Sequence, residues 1–259
     1  VGRSCHVGDV HRAALICLAI GCSQPARDTT TRGDEPPAVV ADVPATAVVT
    51  PDASAPMDAA PLAIVDAPMK WSAERARLTL AYRRRHSDAA ATDLTIEPRA
   101  IVLHYTGGGS ARATRGYFDN VRIEAERKTL AKAGAVNVSS HFVIDRDGTI
   151  YRLQPETQFA RHCIGLNHIA IGVENVGDEA RWPLTEAQVA ANAALVRDLT
   201  ARFPITHLLG HHEVMGFKQH AYYVELDPRY SNDKPDPGAK FMTAVRARLA
   251  DLQLSGPAS

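Results

Sequence analysis

The chain has 259 residues, of which 45% are hydrophobic and 22% are charged, a composition typical of a globular protein with one folded domain and flanking segments. Its 29 basic and 29 acidic residues leave no net charge. A surface that follows phosphates needs a basic excess, so we expect no nucleic-acid partner.

The N-terminal segment, residues 1–22, is typical of an export signal. Arg3 and Arg12 precede the apolar run AALICLAIGC, which is too short to span a bilayer as a helix but fits the core of a secretory signal. Because the run ends at Cys22, it resembles a bacterial lipoprotein signal. We predict an exported, periplasmic protein that meets the membrane only through a lipid anchor on Cys22. A plain cleaved signal and an uncleaved anchor are the alternatives.

The next segment, residues 23–70, reads as a disordered linker. It holds 8 of the 16 prolines, 11 alanines and no aromatic residue. Such a composition buries too little apolar surface to offset the loss of chain entropy on folding. We therefore predict a semi-rigid tether between the signal and a domain spanning residues 71–255.

Cysteine usage excludes an intramolecular disulfide in the processed protein. Cys5 and Cys17 would leave with the signal, and Cys22 would carry the lipid. Cys163 then has no partner, and we expect it to be a small buried hydrophobic side chain.

The first half of the domain reads as a helix, a strand and a hairpin. In the stretch from 71 to 86, Trp71 and Tyr82 fall on one helical face with Leu78, and Ser72 is a candidate N-cap. AIVLHY, ending at residue 105, is a short β-branched stretch before three glycines, which predicts a buried strand. HFVIDRDGTIYRL alternates around Asp147-Gly148 and predicts a hairpin.

The second half alternates strands with helices. HIAIGVENV predicts a strand, and the segment from Thr185 to Phe203 has helical spacing and is followed by Pro204. ITHLLG predicts a further strand, and residues 238–252 predict a closing helix. We therefore expect an α/β domain with one central, mainly mixed sheet flanked by helices, and with its chemistry at the strand ends.

Ionisable side chains gather at these strand ends. His104 ends the first strand, and Glu174 alternates with Gly172 on one face of another, which suggests an open space before the carboxylate. Two histidines and one carboxylate, with a fourth position open, form a catalytic zinc site, and a glutamate outside the ligand set can act as base. HHEVMG lacks the second histidine of the helical zincin motif. The remaining candidates are His211, His212, Lys234 and Asp236.

Five ordered motifs carry a family resemblance. IVLHYT, VSSHFVIDRDGTIYRL, ARHCIGLNHIAIGVEN, LLGHHEV and KPDPG together resemble the zinc-dependent N-acetylmuramoyl-L-alanine amidases of type 2. Those enzymes share their fold with peptidoglycan recognition proteins and the amidase-type phage lysozyme. The resemblance covers residues 96–250, and it implies that same fold here.

The resemblance also implies roles for particular residues. It implies a Zn²⁺ cofactor held by His104, His211 and Asp236, with His212 as a neighbour. Glu174 corresponds to the catalytic base, and Lys234 to the lysine that polarises the scissile carbonyl. Candidate substrate-binding residues are His162, Asn167 and Tyr105. His141 corresponds to a packing or supporting residue.

The implied reaction is hydrolysis of the amide between the lactyl group of N-acetylmuramic acid and L-alanine of the stem peptide. Peptidoglycan or muropeptides would be the partners, and we expect a monomer. The main alternative is a recognition module that binds peptidoglycan without cutting it, a class that typically lacks a zinc ligand. A cytosolic muropeptide-recycling amidase is a third reading, which the signal and linker disfavour.

One departure from the family leaves questions open. Twenty-four residues separate His211 from Asp236, more than the usual short loop. Asp227 and Asp233 are therefore rival ligands. The insert, residues 213–233, is either a surface excursion or a lid whose Tyr222 and Tyr223 stack on substrate.

Overall fold

A computed structural model describes residues 62–257. The predicted signal, its Cys22 and most of the predicted linker lie outside this range, so those predictions stay as they are. Among the helices within it, none combines the length and the apolar character needed to cross a bilayer.

Six strands form one mixed sheet in the order β1-β4-β3-β5-β2-β6. Every neighbouring pair is parallel except β3 and β4, which form an antiparallel hairpin. The carboxyl ends of β2, β5 and β6 therefore meet at one edge, where an α/β sheet places its ligands. The strands are β1 (Ile64–Asp66), β2 (Ala100–Tyr105), β3 (Phe142–Ile144), β4 (Ile150–Arg152), β5 (Ala170–Asn175) and β6 (His207–Gly210).

Helices cover both faces of this sheet. One face packs into the main core, where the helix residues Leu195 and Val245 share a buried cluster with the strand residues Leu103 and Val173. The other face, which includes Val102, packs under the loops that form the site described below. The helices are α1 (Ala73–His86), α2 (Ala111–Phe118), α3 (Lys128–Ala133), α4 (Glu186–Arg202) and α5 (Ala239–Ala247), with 3-10 turns at His211–Phe217 and Ala250–Leu252.

The predicted local signals take the expected conformations. The Ser72 side chain accepts a hydrogen bond from the Arg75 backbone N–H at the start of α1. Thr185 and Gln188 form a reciprocal capping box at the start of α4. Gly148 turns the β3–β4 hairpin with a φ of 88°, which favours glycine. The central mixed sheet flanked by helices is confirmed.

The domain begins earlier than predicted. Strand β1 lies within the predicted linker and pairs with β4, and Met69 is buried. The boundary at residue 71 was therefore wrong by several residues. A three-residue strand has no periodicity of its own, and its partner lies more than 80 residues away in the chain.

The buried face of α1 also differs from the prediction. Trp71 precedes the helix and is 39% exposed, so it does not share a face with Tyr82. The buried positions are Arg75, Thr79, Tyr82 and His86. This polar face can be buried because the Arg75 guanidinium donates to the backbone carbonyls of residues 118 and 120.

Candidate metal centre

Three predicted ligands meet at the carboxyl edge of the sheet. His104 is the penultimate residue of β2, His211 follows β6 directly, and Asp236 lies in the loop before α5. All three are buried, with exposed fractions of 8% or less. One ligand atom from each lies within 4.8 Å of the others, so this group could hold a metal ion.

The distances between these atoms fit a tetrahedral ion. Nδ1 of His104 lies 3.0 Å from Nδ1 of His211 and 3.1 Å from Oδ2 of Asp236, and the third edge is 3.3 Å. Ligands about 2.0–2.1 Å from a tetrahedral zinc lie about 3.3 Å from one another. Two imidazoles and one carboxylate also form a donor set that zinc accepts while keeping a fourth position open.

A chain of hydrogen bonds leaves Nδ1 of His104 without a proton. Nε2 of His162 can only donate to the carbonyl of Ala170, 3.1 Å away, so the neutral His162 ring accepts at Nδ1. That Nδ1 lies 3.0 Å from Nε2 of His104, which must then donate. Burial lowers the pKa of His104 to about 4, so its ring is neutral and its Nδ1 lone pair faces the other two ligands. This is the protonation state that metal binding requires.

His162 reaches this position because residue 172 is a glycine. A Cβ at Gly172 would lie 2.7 Å from Cγ of His162, so any side chain there would displace the ring. The space over Gly172 itself is therefore filled by the His162 ring, whereas the open space predicted before the Glu174 carboxylate is present as a cavity. His141 adds support from behind, since its Nδ1 accepts from the Gly172 N–H at 2.9 Å.

Glu174 lies beside the metal ligands on the same face of the sheet. It pairs in register with His104 across β5 and β2, which places the two side chains next to each other. Burial raises the pKa of Glu174 well above its ordinary value, and the charge of Asp236 raises it further. Its Oε2 has no hydrogen-bond partner among the described residues. An unpaired carboxylate oxygen there can take a proton from a water or ligand.

A cavity of about 550 Å³ opens in front of this group. It is lined on one side by the ligand loops and on the other by α2, α3 and the end of α1. All eight residues predicted for the site line it: Glu174, Lys234, His104, His211, Asp236, His162, Asn167 and Tyr105.

Comparison with known proteins assigns the family. The family model described as N-acetylmuramoyl-L-alanine amidase matches residues 94–239, more than half of the chain. The chain belongs to this amidase family. The match includes every predicted site residue, so the amidase motifs and the geometric site coincide.

Individual relatives share about a quarter to a third of their residues with this chain. The endolysin of Escherichia phage T7 is 34% identical over 100 residues, which cover 37% of this chain and 66% of the phage protein. The endolysin of Enterobacteria phage T3 is 33% identical with the same coverage. The structure of LysC, an N-acetylmuramoyl-L-alanine amidase from Clostridium intestinale, is 24% identical with a TM-score of 0.47, covering 73% of this chain and 97% of that one. The chain thus spans slightly less than two thirds of the length of these endolysins.

Two tyrosines of the insert, residues 213–233, lie away from the cavity. Tyr222 and Tyr223 pack against an apolar cluster that includes Phe217, and the Tyr223 ring lies directly over Gly165. They face the protein and not the cavity, so of the two alternatives the structure favours a surface excursion over stacking of these two tyrosines on substrate. From this stretch it is Tyr230, together with Asn232 near its end, that reaches the cavity.

The rival ligands lie away from the metal ligands. Asp227 forms an ion pair with Arg85 at 3.3 Å, and Asp233 is exposed. Asp236 is instead held in place by His212, whose backbone N–H donates to the Asp236 carbonyl at 2.8 Å and whose Nδ1 lies 3.2 Å from it. His212 is thus a neighbour that supports a ligand loop.

The three candidate substrate-binding residues differ in what they can offer. Both nitrogens of His162 are already hydrogen-bonded, which leaves no polar atom for substrate. The Asn167 side-chain oxygen accepts from the backbone N–H groups of His162 and Cys163, which shapes this turn. Tyr105 lines the cavity and is partly exposed. Cys163 is buried, as predicted.

Residues without a motif also support the site. The Asn175 side chain donates to the His104 backbone carbonyl at 3.1 Å, and Asn192 of α4 donates to Asn175 at 2.7 Å. This buried amide chain connects the core helix to the end of β2. Asn192 falls on the apolar face of a predicted helix, and a buried asparagine there is the signal that could have revealed a polar network.

Proposed function

We propose that this amidase hydrolyses the bond between the lactyl group of N-acetylmuramic acid and the L-alanine of the stem peptide, with zinc as its cofactor. The observation that carries the proposal is the unpaired carboxylate of Glu174 beside three atoms that are 3.0–3.3 Å apart. A base next to a buried metal site in an open cavity is the arrangement that amide hydrolysis requires.

His104, His211 and Asp236 would hold the zinc. Zinc bound there supplies Lewis-acid chemistry, which activates water and polarises a carbonyl oxygen. Glu174 accepts the proton of the attacking water and passes it to the leaving amine nitrogen. Lys234, which lines the same cavity, donates to the oxygen on which negative charge develops.

The shape of the cavity supports a peptide-bearing substrate. Its volume of about 550 Å³ lies in the range of sites that bind ligands of several residues. The Gly107–Gly109 turn, in which all three glycines have positive φ, lies at its margin and leaves backbone exposed to an incoming glycan or peptide.

The test combines metal content with product identity. The purified full-length protein should contain about one zinc per chain and release stem peptides with a free N-terminal L-alanine from isolated sacculi. Removal of zinc by a chelator should abolish release, and added zinc should restore it. Zinc-loaded protein that leaves both sacculi and soluble muropeptides intact would refute the proposal.

Glu174→Gln separates cleavage from binding. The amide cannot accept a proton, so turnover should fall by about 10² to 10⁴ while the zinc content stays near wild type. The variant should still sediment with sacculi. Equal sedimentation of wild type and variant without cleavage by either would instead favour the recognition-module alternative.

We also propose that the enzyme acts as a periplasmic monomer tethered through a lipid on Cys22. The short apolar run ending in AIGC and the proline-rich segment after it support this. Metabolic labelling with a lipid precursor should mark wild type and leave Cys22→Ser unmarked. Cleavage of soluble muropeptides by an unlabelled cytosolic protein would support the recycling alternative.

A further inference from the structure

The cavity extends well beyond the residues assigned to catalysis. Its far wall is formed by α2, by the residue before α3 and by α3 itself. The residues are Thr114 and Tyr117 in α2, Arg127 before α3, and Leu130 in α3. None of these residues belongs to the five motifs that carry the family resemblance. A substrate larger than the scissile amide has room to reach this wall.

Three cationic side chains line the cavity, and two of them already have roles. Arg161 donates to the backbone carbonyls of residues 130, 134 and 136 and to the Tyr230 hydroxyl, so its two terminal nitrogens hold the fold together. Lys234 lies near Glu174, whose pKa its charge lowers. Arg127 is the third.

Arg127 is held in place and keeps most of its donors. Its Nη1 donates to the Tyr117 hydroxyl at 2.7 Å, and that hydroxyl donates to Glu124 at 2.8 Å. Over residues 62–257, no carboxylate lies within ion-pair distance of Arg127, and neither its Nε nor its Nη2 has a hydrogen-bond partner. These two nitrogens present the parallel pair of N–H groups that binds a carboxylate through both oxygens.

The proposed substrate supplies such a group at a suitable distance. The second stem residue, D-glutamate, continues the chain through its γ-carboxyl, which leaves its α-carboxylate free. This group lies within two residues of the scissile bond, or about 7 Å of extended chain. Arg127 and Glu174 line the same cavity.

We propose that Arg127 binds the free α-carboxylate of the second stem residue, and that Tyr117 positions the guanidinium for this contact. The inference rests on the proposed function. The wall formed by α2 and α3 would then face the stem peptide. The enzyme would distinguish a free carboxylate from a carboxamide on the second stem residue.

The test uses two substrates that differ in one group. Muramoyl tripeptides would carry either the free carboxylate or a carboxamide on the second residue. Wild type should favour the carboxylate by about ten- to one-hundred-fold in kcat/KM, because a bidentate charged contact is lost with the amide. Arg127→Gln should bring this ratio close to one. Arg127→Lys, which keeps the charge without the fork, should fall between.

The matched pair removes indirect effects. Loss of Arg127 also alters the field at Glu174, but that change acts on both substrates alike and cancels in the ratio. Tyr117→Phe, which removes the hydroxyl that supports Arg127, should lower the ratio less than Arg127→Gln does. An unchanged ratio in Arg127→Gln, or an equal loss on both substrates, would overturn the inference.

Failure of the proposed function gives a different result. If wild type cleaves neither tripeptide, the hydrolytic function fails, and calorimetric Kd values for the same two tripeptides then test Arg127 independently. Tighter binding of the carboxylate by wild type but not by Arg127→Gln would support the subsite. Equal Kd values would reject it.

Discussion

Two clusters of histidine and carboxylate are buried in this domain, and they differ in which atoms face one another. In the first, Nδ1 of His86 lies 2.8 Å from Glu225 and its Nε2 lies 2.7 Å from the Ala133 carbonyl. Both partners are oxygen atoms that accept hydrogen bonds, so each ring nitrogen of His86 faces an acceptor. In the second, three potential metal ligands face one another around His104.

The difference shows how a metal site can be told from a structural ion pair. Residue types alone do not separate the clusters, since each combines histidine with a carboxylate. The orientation of the second nitrogen does: at His104 it donates to His162 and so directs the bare Nδ1 toward Asp236. At His86 each ring nitrogen faces an oxygen atom. The following predictions test this distinction.

The largest effect is expected from His104→Ala. It removes one of three ligands, so zinc content should fall far below one per chain and activity should fall by more than about 10³. Metal analysis beside a cleavage assay measures both. Stoichiometric zinc with normal turnover would show that the triad is not the metal centre.

A smaller loss is expected from His162→Phe. Phenylalanine fits over Gly172 but cannot accept from Nε2 of His104, so the ligand ring loses its orientation. Metal affinity or activity should fall by about 10- to 100-fold, as for other supporting contacts. Competition with a chelator measures the affinity. His162→Asn, whose side-chain oxygen lies near the position of Nδ1, is the control and should retain more affinity.

The other cluster should affect stability and not metal binding. Glu225→Gln removes the charge that faces His86, and the lost charged hydrogen bond should cost about 2–3 kcal/mol of unfolding free energy. Urea denaturation should show a lower midpoint with an unchanged slope. Zinc content and turnover of the folded variant should match wild type, and a loss of zinc would contradict the distinction drawn above.

The smallest effect is expected from Asp227→Asn. Its partner Arg85 is largely exposed, with 48% of the side chain accessible, and exposed ion pairs contribute about 0–1 kcal/mol. Stability should change little and zinc should be retained. Loss of the metal in this variant would make Asp227 a ligand and remove Asp236 from that role.

Much of this arrangement could be predicted because the relevant signals are local. Strand β2 is a short β-branched stretch with His104 near its end, and β6 is followed directly by His211. Parallel strands bring such ends together at one edge of the sheet. The cluster of His104, His211 and Asp236 forms as the motifs imply. Glu174 lies on the predicted face because alternation along a strand fixes which side chains share a face.

The rest depends on contacts between distant segments. Strand β1 forms only through pairing with β4. The position of the His162 ring depends on the missing side chain of Gly172, which reads from the sequence as an empty space. Tyr117 lies in the short helix α2 and Arg127 directly precedes α3, two elements that no motif or strand end marks in the sequence. Their importance comes from a cavity whose walls are far apart in the chain.

The anchoring of the insert has a consequence for metal binding at the candidate site. Closing a free loop the length of the His211–Asp236 segment costs about 3 kcal/mol of chain entropy. Here that segment is fastened along its course, by Val224 to the Gly165 carbonyl, by Leu226 to the His86 carbonyl and by the buried ring of Tyr230. The contacts that order this segment do not involve the candidate ligands. A metal ion bound by His104, His211 and Asp236 would therefore not have to order the chain around itself.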